Sequence, residues 1–503
     1  MMNNSSRLAI NVGAQYIKTI LNVLLSMYST RLILILLGSV DYGIYSLIAG
    51  VVAMLSFLSN AMIVSTQRFL SYYHGEGNRD RLKLIFSDSF TLHLIISIAM
   101  SIILVLIMPL LFNGFLKIPA ERVETAEIVY IMVVFMLAVT LISAPFNAAI
   151  ISNEDIYVVA IIDVVDGLLK IGLVILLAYI PIDKLIGYAI LMTIIQCVKF
   201  IWMVIVCLVR YPECQDFRIT RFGSGFVKEL SSFAGWTIYS NGCIIGRTQG
   251  VAVLINRFIG PVANAAFGIA LQVSGFVSFA ASSLQNAMAP RIMKAEGKGE
   301  RARLLSLSSM TSKYSILLLS CIIIPVSFFI QPLLEFWLGK VPEGTSFFCV
   351  MVLYASLADS ITISLGLANQ AIGKIRNYSI IVNSIKLLTL LPIWYCLNSG
   401  FSVYSVAVCY IGFELICATV RLPFLKFTAG LNVGEYIQNV VLKCALPITL
   451  LVGCMAVCKY YLMLNFIVSF LISISIYGMS VFHISLSKSE KDIIVGFCNK
   501  LHR

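Results

Sequence analysis

Apolar residues run along this chain in long blocks broken by short polar turns. Fourteen blocks stand out, at 9–37, 42–71, 82–113, 123–150, 156–180, 184–209, 227–258, 263–292, 300–332, 344–371, 376–397, 402–427, 434–459 and 462–486. A bilayer core of about 30 Å is crossed by roughly 20 apolar helical residues, and each block reaches that length. Backbone groups in hydrocarbon must pair with one another, so continuous apolar blocks predict membrane helices and exclude a β-barrel. The predicted architecture is an all-α polytopic membrane protein of about fourteen transmembrane helices. A six-helix lobe (1–209) leads to a linker (210–228), a second six-helix lobe (229–427), and two additional helices with a tail (428–503).

The two lobes read as copies. The turn Gly75-Glu76-Gly77-Asn78-Arg79-Asp80-Arg81-Leu82 returns 222 residues later as Gly297-Lys298-Gly299-Glu300-Arg301-Ala302-Arg303-Leu304. The same offset carries Gly13 onto Gly235, Gly38 onto Gly260, Val40 onto Val262 and Ser56 onto Ser278. Matched apolar halves are the sequence mark of a transporter whose two bundles rock about a central site.

Composition narrows the class. Of 503 residues, 59% are hydrophobic and 12% charged, and mean hydropathy is +0.95, too apolar for a water-soluble globule. Lys and Arg gather at Arg79 and Arg81, from Arg210 to Lys228, around Lys298, at Lys374 and Arg376, at Arg421 and Lys426, and in the tail from Lys488. The opposite side holds Lys117, Arg122, Lys184, Arg257, Lys340 and Lys459. This asymmetry predicts both termini in the cytoplasm. It also accounts for the net charge of +12 without a nucleic acid partner. The opening residues, with Gln15 and Lys18 in the first apolar block, read as a membrane helix rather than a cleavable signal. The 13 cysteines stand singly, which favours packing over metal or disulfide. No phosphate-loop motif, catalytic triad or metal-ligand cluster is visible, and His74, His93, His483 and His502 are isolated.

Candidate chemistry lies in polar residues that interrupt the apolar blocks. The first block carries Asn11, Gln15, Lys18, Asn22, Ser26 and Ser29 on one helical face. The seventh answers with Thr237, Ser240, Asn241, Arg247 and Thr248, the second with Ser56, Asn60 and Gln67, and the eighth with Ser278, Ser282 and Gln285. These faces are expected to line a wet cavity. Lys18, Arg31 and Arg247 are its cations, each costing about 2.5–3.5 kcal/mol at a helix centre. Those four blocks hold no carboxylate except Glu229 at the start of the seventh and Asp41 at the membrane edge, so the expectation is cations that await an anionic solute. The competing reading has Lys18 and Arg31 snorkelling to polar surroundings. Asp166 and Lys170 are spaced to neutralise each other, leaving Asp163 to bind a proton or sodium ion or to join a structural network. Asp359, Lys386 and Glu414 are expected to pair among themselves, with ion coupling as the alternative. Gly242, Gly246 and Gly250 are spaced for close helix packing or for a flexible gating helix.

Three segments carry a resemblance: GAQYIKTILNVLLSMYSTRLILILLGSVDYGIYSLI near the start, STQRFLSYYHGEGN after the second block, and NEDIYVVAIIDVVDGLLKIG opening the fifth. With them the chain resembles the polysaccharide-transporter branch, the Wzx-type flippases, of the multidrug, oligosaccharidyl-lipid and polysaccharide (MOP) exporter superfamily. The resemblance implies a MATE-like pair of six-helix lobes with a cationic lumen and alternating access, and no enzymatic step. It implies as cargo an undecaprenyl-pyrophosphate-linked oligosaccharide, moved across the membrane for O-antigen, capsule or exopolysaccharide synthesis. A polysaccharide polymerase and chain-length machinery are its implied partners. The two additional helices resemble the fourteen-helix lipid II flippases.

A cation-coupled drug exporter of the same fold is the alternative, for which carboxylates would be expected in the cavity. A membrane glycosyltransferase or polymerase would need a large outer loop, and the connections near Lys117 and Lys340 are short.

Overall fold

The computed structural model describes residues 56–112, 118–215 apart from 178 and 180, 225–338, 341–487 and 490–491, with scattered positions between 11 and 49 that are all helical. The helices are α1 (Ser56–Glu76), α2 (Arg79–Leu110), α3 (Val123–Ser152), α4 (Ile156–Leu177), α5 (Lys184–Arg210), α6 (Gly225–Phe258), α7 (Pro261–Gly297), α8 (Arg301–Phe328), α9 (Ile330–Leu338), α10 (Thr345–Ser360) and α11 (Leu365–Ile372). They continue with α12 (Ile375–Asn398), α13 (Tyr404–Ala429), α14 (Val433–Tyr461) and α15 (Phe466–Ser485), where α12, α14 and α15 each contain a π-helical turn. The protein is an all-α, multi-pass membrane protein. Among the described residues nine helices are long and apolar enough to cross a membrane, or ten if α10 and α11 form one bent span. Helix α4 is not among them, because Asp163, Asp166 and Lys170 all fall within its 22 residues.

The internal repeat is visible in the backbone. Gly77 and Gly299, 222 residues apart, both adopt left-handed conformations, with φ of 76° and 74°. Glycine does so without a Cβ clash. The helices that follow begin at Arg79 and Arg301, again 222 apart. In the first copy Asn78 caps the new helix by accepting the Arg81 N–H at 3.1 Å. Its counterpart Glu300 makes no side-chain cap.

Two expected spans are interrupted. The block at 300–332 ends as a helix at Phe328, three residues after Pro325, and resumes as α9. The block at 344–371 breaks between Ser360 and Leu365 with a bend of 50°. Carbonyls freed by a break in hydrocarbon need donors. The Tyr436 hydroxyl supplies one to Ile361 O at 2.6 Å, and Arg421 reaches across the break to Asp359 O and Thr362 Oγ1, both at 3.4 Å.

Packing divides the chain into two compact units, Met1–Asn241 with Met293–Gly299, and Gly242–Ile292 with Glu300–Arg503. In the first, a core around Ile48, Tyr130, Val133, Leu141 and Leu185 joins α2, α3 and α5. In the second, Val251, Phe267, Phe348, Ile393 and Tyr410 join α6, α7, α10, α12 and α13. Gly246 and Gly250 let α6 lie against α12, since added Cβ atoms would fall 3.2 Å from Leu387 Cδ1 and 2.6 Å from Leu390 Cδ1. Close packing is thus the role these two glycines play. Leu106, Leu110, Val209 and Val408, each more than 70% exposed, present apolar surface of the kind lipid covers.

Candidate functional site

Among the described residues each unit holds a cluster of ionised side chains, and the helices that bear Lys18, Asp163 and Lys199 correspond in the repeat to those that bear Arg247, Lys386 and Arg421. In the first unit Asp163 of α4 is held by both oxygens, with Lys18 Nζ 2.5 Å from Oδ2 and Lys199 Nζ 2.7 Å from Oδ1. One turn on, Asp166 Oδ2 accepts from Lys170 at 2.8 Å and lies 3.8 Å from Lys199. Three ammonium groups therefore share two carboxylates, an excess of one positive charge. Asp163, Asp166, Lys170 and Lys199, with Asn22, Ser29 and Tyr188, line a cavity of about 470 Å³, and Lys18 reaches Asp163 from outside that lining. Gly167 permits the close approach of this turn, since a Cβ there would meet Leu25 Cδ1 at 2.9 Å.

In the second unit five charges alternate in a chain: Arg247 (α6), Glu414 (α13), Lys386 (α12), Asp359 (α10) and Arg421 (α13). Arg247 bonds Glu414 Oε1, Lys386 lies 3.0 Å from Glu414 and 2.9 Å from Asp359, and Arg421 donates to Asp359 at 2.7 Å. Arg247 also stacks over Tyr410 at 4.5 Å. Here too three cations meet two carboxylates. Lys386, Glu414 and Arg421 are at most 4% exposed, so this cluster is a sealed network. Lys199 and Arg421 stand 222 residues apart, the period of the repeat, and each bonds a carboxylate of its own unit.

These contacts correct the expectation of unpaired cations. Lys18 and Arg247 each have a carboxylate partner from another helix, and Asp163 is no spare group. Arg31 lies outside the described residues. The pairing of Asp166 with Lys170 is as the spacing suggested, and Asp359 and Glu414 pair with Lys386 as expected. The polar faces divide. Asn22 lines the first-unit cavity, but Asn11 is buried and spends its amide on Glu154 O at 2.7 Å and the Tyr157 N–H at 3.2 Å. Ser240, Thr248 and Ser282 donate to carbonyls three or four residues back in their own helices, which satisfies a hydroxyl without a cavity. Gln15, Asn241, Ser278 and Gln285 are half-buried and Asn60 is exposed. Lys199 has no acid at i,i+4 spacing in its own helix, so only its offset from Arg421 signals it in the sequence.

Two of the three segments that carried the resemblance meet in a polar knot within the first unit. Glu213, in the turn after α5, accepts from Asn153 at 2.7 Å and pairs with His74 at 3.0 Å, while Tyr211 donates to Asp155 at 2.8 Å. Burial raises the Glu213 carboxyl, but the His74 and Asn153 bonds outweigh it and hold it below its ordinary range. Lys294, beside the second copy of the turn, reaches Glu154 at 3.0 Å. His74 is thus a partner in this knot rather than an isolated residue.

No protein-family model matches the chain, and no curated protein matches it. Solved structures do. A MATE transporter, ClbM, in complex with Rb+ superposes with a TM-score of 0.69 at 15% identity, covering 83% of this chain and 94% of that one. A MOP superfamily transporter from Pyrococcus furiosus, described as having a binding pocket of reverse polarity, gives 0.68 at 12%, covering 86% and 96%. An outward-facing multidrug resistance MATE family transporter gives 0.70 at 12%, covering 86% and 96%. The chain has the fold of the MATE and MOP superfamily transporters.

Proposed function

We propose that the protein is a transporter of phosphate-bearing amphiphiles, specifically a flippase for polyprenyl-pyrophosphate-linked oligosaccharides. Its support is the charge balance of the first-unit cluster, where Lys18, Lys170 and Lys199 outnumber Asp163 and Asp166, all but Lys18 lining the cavity. A cationic guest would meet carboxylates already neutralised and would raise the local excess of positive charge. An anionic guest lowers it, and the attraction between unit charges at 4 Å is about 4 kcal/mol at the effective dielectric of a protein surface. The lipid tail can remain in the bilayer while the pyrophosphate and sugars pass through the polar interior. A sodium ion or proton at Asp163 would have to compete with two lysines, so coupling there would proceed by exchange of partners.

The test is reconstitution in vesicles with undecaprenyl-pyrophosphate-linked oligosaccharide, scoring lectin access to the sugar from the far side. Wild-type protein should expose the sugar, and Lys199→Met should slow this while Lys199→Arg retains it. Efflux of a cationic dye without any flipping of the lipid-linked sugar would overturn the proposal. The multidrug MATE neighbour favours that second reading, and the dye arm measures it.

A further inference from the structure

A second cavity, of about 550 Å³, lies in the second unit between the first half of α8, the start of α14 and the beginning of the tail. Its innermost charge is Lys313, 8% exposed and set in a membrane helix. The chain itself brings the counter-charge from beyond the last span. Ser487 and Glu490 form a capping box, in which the Ser487 N–H donates to Glu490 Oε2 at 2.6 Å and Ser487 Oγ accepts the Glu490 N–H at 3.4 Å. The same carboxylate takes Lys313 Nζ on both oxygens at 2.8 Å and the Tyr314 hydroxyl on Oε1 at 2.8 Å. An ammonium, a phenol and a backbone N–H converging on two oxygens make an oxyanion cradle. The 550 Å³ stays open with the Glu490 carboxylate seated at its wall. It is also lined by Ser306, Ser309, Asn439 and Lys443, donors suited to a larger oxyanion, and by a second carboxylate, Glu435.

We propose that this cavity is a binding site for a phosphate group, and that Glu490 occupies its cradle until such a group displaces it. The phosphate comes either from a lipid headgroup at the membrane surface or from a free phosphate in solution. Because the tail carboxylate competes, apparent affinity is reduced by the fraction of time the cradle is filled.

Full-length protein in detergent titrated with inorganic pyrophosphate, and in phosphatidylcholine nanodiscs with or without phosphatidic acid, tests this. Glu490→Gln should bind pyrophosphate or phosphatidic acid about tenfold or more tightly than wild type. Adding Lys313→Met should abolish the gain. Adding Lys443→Gln instead, which leaves the buried position intact, should reduce it. A gain in the pyrophosphate arm alone identifies a soluble phosphate and a gain in the nanodisc arm alone identifies a lipid, and both support the site. No gain in either arm, or a gain that survives Lys313→Met, overturns it. The outcome is independent of whether the protein flips lipid-linked sugars.

Discussion

Gly75 and Gly297, equivalent positions in the two copies of the repeat, touch each other. A Cβ on Gly297 would lie 1.8 Å from Tyr72 O and 3.1 Å from Gly75 Cα, and one on Gly75 would lie 2.2 Å from Lys294 O. All of these obstacles are backbone atoms, which cannot rotate away. The ends of α1 and α7 therefore cross with no room for any side chain. Gly297→Ala is expected to force the crossing apart and destabilise the protein by about 1–3 kcal/mol, the usual cost of overpacking. Gly268→Ala, in the same helix with open space around it, should be close to neutral. Thermal unfolding in detergent separates the two, and equal melting temperatures would remove the crossing from the account.

The sealed chain of charges in the second unit should behave as one object. Glu414 serves both Arg247 and Lys386, so Glu414→Gln leaves buried cations short of a partner. Removing one member of a buried pair costs about 3–5 kcal/mol, whereas replacing both partners by neutral residues is often far cheaper. The double variant Arg247→Met with Glu414→Gln should therefore be more stable than Glu414→Gln alone. A double-mutant cycle on melting temperature measures this, and simple additivity would show that the chain is not coupled.

Much of this was legible from local spacing. The offset of 222 correctly matched Gly77 with Gly299 and the helix starts at Arg79 and Arg301. An acid four residues before a base correctly paired Asp166 with Lys170. What spacing could not supply were contacts among three helices, such as Lys18 with Asp163 and Lys199, and these overturned the idea of cations without partners. Arg421 reads in sequence as a charge at the end of a span, yet it is 3% exposed and holds the α10 break together. The break itself is hidden because Ile361-Thr362-Ile363-Ser364 is apolar enough to pass for continuous helix.

Gly250 and Leu390 form a complementary pair across α6 and α12. An alanine at 250 would drive its methyl to 2.6 Å from Leu390 Cδ1, the movable end of a side chain rather than backbone. Gly250→Ala should thus cost less than Gly297→Ala, and Leu390→Ala should offset part of the loss. The combined variant melting no higher than Gly250→Ala alone would argue that the two do not meet.

The seat of Glu490 gives a pH dependence with a definite sign. Burial alone would raise this carboxyl, but the bonds from Lys313, the Ser487 N–H and Tyr314 outweigh it and hold the group down to about 2, against an ordinary 4.5. A depressed carboxyl pKa means stabilisation that is fully present above the unfolded value and lost as pH falls through the folded one. Attachment of the tail should therefore be constant from neutral pH to about 4.5 and weaken between about 4.5 and 2. Hydrogen exchange at the Glu490 amide, taken relative to the intrinsic rate at each pH, reads the change. In Glu490→Gln the seat no longer titrates, so exchange there should be faster than in wild type at neutral pH and lose this pH dependence. A wild-type protein whose exchange already rises between pH 7 and 5 would show that the carboxylate is not held as the structure places it.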